Sequence, residues 1–303
     1  MKTIIIGAGS DLGVHIDGAR FAPSELINDM KSSYTGEVVN LIQNDKTIKS
    51  RNLSDKRKNE YEANNFNTAV YKTEIKKIGE GLFPITIGGD TSVCIASVLA
   101  DNKTNKKEIG VIYFASHTHY NNPETTVTGN IDGMSLAAIN NYKCDELIPF
   151  HNDEVIDTRK TVVVGSRNID PWEKDNVKYS GITVISKEEI DKNGLKNGLD
   201  KAFEIATKNK NEVHICLNMD IIDPTYAPGV AIPEVDGITE EEAMEIMDYL
   251  LENIDKISGV DIVGLNPLRD ISRKTEQIAL NILANIINKV EKHKNVAHIE
   301  KKY

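Results

Sequence analysis

The chain has 303 residues, 40% hydrophobic and 27% charged, which is long enough for one large α/β domain, and a single core over 1–303 is the preferred reading. Acidic residues outnumber basic ones by 46 to 36, for a formal net charge of −10. With no long basic run, nucleic acid and anionic membranes are excluded as partners.

The chain opens on a short apolar run, Lys2 to Gly7, far below the ~20 residues a membrane span needs, so it reads as a first strand. Cys94, Cys144 and Cys216 are widely spaced and form no Cys-x-x-Cys pair. Free thiols in a reducing cytoplasm are expected, rather than disulfides or structural zinc. The glycine-spaced loop Ser10 to Ala19 lacks the dinucleotide fingerprint, and His15 within it reads as an ordinary surface or packed histidine. A helix opens at Pro23 and Ser24. Gly36 to Ile42 reads as a strand, and the charged stretch Asp55 to Lys77 as a helix with Tyr61, Phe66, Ala69, Val70 and Ile75 turned inward.

Three further stretches share one pattern. Pro84 to Ile87 runs into Gly88-Gly89-Asp90-Thr91; Gly110 to Phe114 runs into Ala115-Ser116-His117-Thr118-His119; and Val213 to Leu217 runs into Asn218-Met219-Asp220. Each is an apolar, β-branched strand that ends in polar chemistry, as buried parallel strands do where they deliver a site. Strand alternation places His117 and His119 on one face. Between and after them come a hydroxyl- and amide-rich loop, 121–134, and β-branched strands at Thr161 to Gly165 and Ile182 to Ile185. Capping boxes follow at Ser186-Lys187-Glu188-Glu189 and Thr239-Glu240-Glu241-Glu242, flanking a helix at Leu195 to Lys208. A strand at Ile257 to Leu265 and an amphipathic helix at Thr275 to Lys292 close the chain. Repeated strand-helix units predict a mostly parallel sheet with right-handed crossovers.

The three strand ends, their order, and the following Tyr226-Ala227-Pro228-Gly229 resemble the ureohydrolase family of arginase, agmatinase and formiminoglutamase, closest to arginase. The resemblance runs from first strand to last helix. It implies a three-layer α/β/α fold, a homo-oligomer (trimer or hexamer), and hydrolysis of guanidinium groups by a manganese pair. At the family's ligand positions, however, this chain has Thr91 for a histidine, Ala115 and Asn218 for bridging aspartates, and His119 for an aspartate; only His117 and Asp220 match. One carboxylate cannot balance two divalent ions, so no dinuclear manganese cluster is expected. His117, His119 and Asp220 together form a set able to hold a single divalent transition metal.

The resemblance also implies an α-amino-acid clamp, with Asn121, Thr128 and Asn130 at the carboxylate positions and Asp170 and Glu173 at the ammonium positions. Amides and hydroxyls for a carboxylate and acids for an ammonium suit a zwitterion, although turn and cap chemistry would explain any one of them alone. Gly264 stands where arginase has its guanidinium-binding glutamate, and Asp132 where it has its proton-shuttle histidine. Three functions follow as expectations: an arginase-like protein without arginase activity that binds an amino acid, a mononuclear hydrolase of another amide or amidine, or a non-catalytic partner subunit of an active ureohydrolase.

Overall fold

The computed structural model describes residues 2–47, 49–50, 52, 54–105, 109–150, 155–208 and 212–300, with side chains of the last helix described to 292. Among the described residues, eight parallel strands form one sheet: β1 (Thr3–Gly9), β2 (Glu37–Ile42), β3 (Phe83–Gly88), β4 (Gly110–Phe114), β5 (Thr161–Ser166), β6 (Thr183–Ser186), β7 (Val213–Asn218) and β8 (Ile257–Val263). Their order is β2-β1-β3-β8-β7-β4-β5-β6. Strands β3 and β4, consecutive in the chain, are thus separated by β8 and β7. The strand order reverses there, and a crevice opens beyond the carboxyl ends at such a switch point.

The side-chain alternation of the strands splits the core into two layers. On β4, Ile112 and Phe114 join one apolar cluster and Val111 and Tyr113 the other. Helices α1 (Ala22–Met30), α6 (Lys187–Asn193), α7 (Leu195–Ala206), α8 (Glu240–Glu252) and α9 (Lys274–Glu300) cover the first face; α2 (Glu60–Gly79), α3 (Cys94–Thr104) and α4 (Ser135–Ile139) cover the second. A further helix, α5 (Glu173–Ser180), follows β5. The expected three-layer α/β/α arrangement is present. Both faces are covered, which is why the central strands read as near-continuous apolar runs.

Two elements differ from the sequence reading. Helix α2 starts at Glu60, because Asn59 sits in the left-handed region (φ 58°) and spends its amide on Leu12 O and Ser50 N instead of capping. Its inner face is Ala63, Asn67, Val70, Tyr71 and Glu74, while Tyr61 is exposed. The buried polar members are satisfied from afar: Asn67 donates to Ser92 O and Glu74 accepts from Thr86. The second difference is at Ser186, which caps α6 through Glu189 N, whereas Thr239 and Glu242 make the full reciprocal box on α8.

Candidate functional site

Strand β4 ends at Phe114, so His117 and His119 lie in the bends beyond it, and strand alternation does not orient them. His119 adopts a left-handed conformation, φ 50°, a turn most side chains disfavour. That turn brings it into a cavity of about 40 Å³ with Asp90, Thr91, His117, Asp132, Asn218, Asp220 and Gly264. All three strand ends singled out in the sequence therefore meet. Ligand atoms of His117, His119 and Asp220 lie within 4.8 Å of one another.

The two histidines differ in charge. His119 Nδ1 is 2.8 Å from Asp132 O, which assigns the proton to Nδ1 and leaves Nε2, 3.5 Å from the Asn218 amide, as the free lone pair. Burial lowers its pKa to about 4, so it is neutral. His117 lies between two acids, with Nδ1 3.3 Å from Asp220 and Nε2 3.2 Å from Glu234. Burial opposes its protonation, but the two carboxylates outweigh this and raise its pKa to about 9. Asp220 also accepts from Ser116 N at 3.0 Å, and against the pull of burial its contacts with His117 keep it below the usual carboxylate range. Asp132 is pushed up to about 8 by burial, with Asp90 adding to the effect.

The neighbouring residues singled out in the sequence are firmly packed. Thr91 donates to Asp132 O at 3.0 Å, and Ala115 is fully buried in the second core layer. Asn218 accepts from Asp220 N at 3.1 Å, closing a short turn. Gly264 is left-handed, φ 85°, and a Cβ there would overlap Asn218 Oδ1. The glycine and the asparagine are thus packed as a unit, and a longer side chain at 264 has no room beside Asn218.

The clamp residues fall into two groups. Asn121 donates to Asp170 at 3.0 Å. Glu173 is 3% exposed, its carboxylate accepting from Thr118, Tyr120 N and Asp170 N; burial raises its pKa. Thr128 and Asn130 lie farther along the loop, where Thr128 accepts from Asn130 N and the Asn130 amide is 2.9 Å from His15 Nδ1. Thr128 lines a separate, larger cavity.

Two residues at the site were not foreseen. Glu234 reaches His117 and accepts from the Asn168 amide at 2.8 Å. Arg167 ties that loop down by donating to the carbonyls of Asp220, Ile221, Glu234 and Val235. A charged residue directly after Pro233, in a loop with no helix end to serve, was the available signal.

The parallel sheet, with a polar cavity at its switch point, is the architecture expected of a ureohydrolase-class α/β protein. The chain belongs to the arginase family, whose model matches residues 1–288. It is 30% identical over 304 residues to an arginase of Bacillus subtilis (strain 168), covering 95% of this chain and 98% of that one. An arginase of Brevibacillus brevis is 31% identical over 207 residues, 68% of this chain and 69% of its own. Among solved structures, the native arginase of Bacillus caldovelox superposes with a TM-score of 0.85 at 26% identity, covering 95% of this chain and 98% of that one. No described helix is long and apolar enough to cross a membrane.

Proposed function

We propose that this member of the arginase family does not assemble a manganese pair, does not hydrolyse arginine, and binds an α-amino acid. The observation that carries the reading is the donor set around the small cavity. A hydroxyl (Thr91), a methyl (Ala115), an imidazole (His119) and an amide (Asn218) stand at the family's ligand positions, with Asp220 the one matching carboxylate. These residues do not fit two divalent ions. Hard cations need anionic oxygens to bridge them. Of the other acids here, Asp90 accepts from Gly13 N and Ser92 N, Asp132 accepts from Gly133 N and is pushed up to about 8 by burial, and Glu234 is turned to His117 Nε2 and Asn168. The Asn121–Asp170 pair and the buried Glu173 support an amino-acid pocket beside the cavity, with Thr128 and Asn130 taking the carboxylate end. Isothermal titration with a panel of amino acids tests this; binding by none of them would sink it.

One observation favours a second reading. The mutual approach of His117, His119 and Asp220 suits a single zinc, iron or nickel ion, which would supply a Lewis acid and an activated water for an amide or amidine. His119 Nε2 is already positioned as a neutral ligand atom, its ring fixed by the carbonyl of Asp132. Metal analysis after chelation and reloading decides it, since the mononuclear reading requires one ion per chain. In either case a homo-oligomer, trimeric or hexameric as family resemblance implies, is the form in which we expect the protein to work. Service as a non-catalytic subunit of an active ureohydrolase would show as co-purification of the two.

A further inference from the structure

Alternation along the strands places a second polar group beneath the small cavity. On β7, Ile215 and Leu217 belong to the first core layer and Cys216 to the second. Asp261 of β8 pairs with Cys216 in register, so the two side chains share a face. Tyr113 of β4 is the next partner along the same row. Helix α3 covers this row, and its Cys94, Ser97 and Asp101 recur at i, i+3 and i+7, which makes one helical stripe. A row of the sheet and a stripe of a helix therefore meet, both carrying polar groups in a layer that is otherwise apolar.

Three ligand atoms converge there. Cys94 Sγ, Cys216 Sγ and a carboxylate oxygen of Asp261 lie within 4.8 Å of one another, and all three residues are 0% exposed. The carboxylate is held from behind. Asp101 is 2.8 Å from His214 Nδ1, and His214 Nε2 is 3.1 Å from Asp261 Oδ1, while Ser258 donates to Asp101 at 2.5 Å. Asp261 Oδ2 is thereby turned to the helix and the sulfurs, 3.5 Å from Cys216 Sγ, and accepts from Ser97 at 2.5 Å. A histidine and a further carboxylate that fix the orientation of a ligating group are the outer shell that metal sites use. Packing alone accounts for one buried cysteine, but not for two that converge on a carboxylate oriented in this way. Burial raises both thiols, Cys94 to about 11 and Cys216 well above its usual value, so both keep their protons unless a cation takes their place.

We propose that Cys94, Cys216 and Asp261 hold a zinc ion or another thiophilic divalent cation, as a structural site that ties α3 to β7 and β8. Thiolates select such ions over manganese, magnesium and calcium. Ser97 Oγ, already against Asp261 Oδ2, offers a fourth, neutral donor for tetrahedral coordination. One divalent ion replaces the two thiol protons, which leave as H⁺, so the net charge of the buried layer does not change. No Cys-x-x-Cys spacing announces the site, because one thiol comes from a helix and the other from a strand. Cys94 follows Thr91 by three residues, Cys216 precedes Asn218 by two, and the Tyr113 ring is 5.3 Å from that of His119. The ion therefore fastens the segments that carry the small cavity. It shares no ligand with His117, His119 and Asp220, so either set can fail without the other.

The test uses the full chain, expressed in zinc-supplemented medium and purified under reductant, with elemental analysis and X-ray absorption at the zinc edge. Bound zinc is expected to show a sulfur shell at about 2.3 Å, which an ion held by His117, His119 and Asp220 cannot give. Cys94→Ser is expected to lower zinc affinity about a hundredfold or more and to remove that shell, whereas Cys144→Ser keeps it. Should Cys94→Ser fail to fold, the wild-type shell carries the test alone. Zinc surrounded only by nitrogen and oxygen, no retained zinc, an unchanged sulfur shell in Cys94→Ser, or a Cys94–Cys216 disulfide that persists under reductant would overturn the proposal.

Discussion

Replacing Glu173 by alanine separates an anchoring role for this carboxylate from a purely ligand-facing one. Its carboxylate accepts from three donors, and two of them, Thr118 Oγ1 and Tyr120 N, belong to residues that are 0% exposed. Leaving a buried donor unsatisfied costs about 1–3 kcal/mol, so two orphaned donors give about 2–6 kcal/mol. Removing a carboxylate whose own burial is unfavourable offsets part of this, and about 3 kcal/mol is expected. For a chain of this size that lowers the melting temperature by about 6–12 °C. Glu173→Gln, which keeps one acceptor oxygen, should lose about 1 kcal/mol. Differential scanning calorimetry on the three proteins measures both. A drop of less than about 2 °C in Glu173→Ala would refute the reasoning, because those bonds would then contribute nothing to holding the bends that carry His117 and His119.

Other predictions follow from the same contacts. His214 lies 2.8 Å from Asp101 and 3.1 Å from Asp261 in the sheet interior; burial opposes its charge, but the two acids raise its pKa to about 10 from 6.5. The folded state therefore keeps a proton that the unfolded state releases, so stability should fall as pH rises from about 6.5 to about 10. Urea titrations across that range should show the fall, and His214→Gln should reduce it to the part that His117, raised to about 9, still contributes, while destabilising the protein by about 3–5 kcal/mol. Arg167→Ala frees the loop bearing Glu234 and should weaken amino-acid binding about tenfold in calorimetric titration. Thr91→His, Ala115→Asp, His119→Asp and Asn218→Asp together should restore manganese binding, read by elemental analysis. Gly264→Glu added to an unchanged Asn218 should lower the melting temperature, since the side chain meets Asn218 Oδ1.

The sheet was legible because strands buried on both faces carry their signal locally: Val111 to Phe114 and Val162 to Val164 could be little else. Helix α2 shows where local signals end. Its start depends on Asn59 bonding to Leu12 and Ser50, and its inner face includes Asn67 and Glu74, whose partners Ser92 and Thr86 lie on other elements. The convergence of Thr91, His117, His119, Asn218 and Asp220 was legible because each ends a strand. Their orientation was not, since the left-handed turn at His119 arises beyond the strand. Glu234 had only a weak local signal, its place after Pro233, and Arg167 had none, because each acquires its role only when the two loops pack together.

Whether a manganese pair forms is read by elemental analysis of the purified protein before and after incubation with manganese, with urea release from arginine and agmatine measured on the same samples. The donor set around Asp220 predicts no stoichiometric manganese and no urea. Two manganese ions per chain with urea production would contradict it and make this protein an ordinary ureohydrolase.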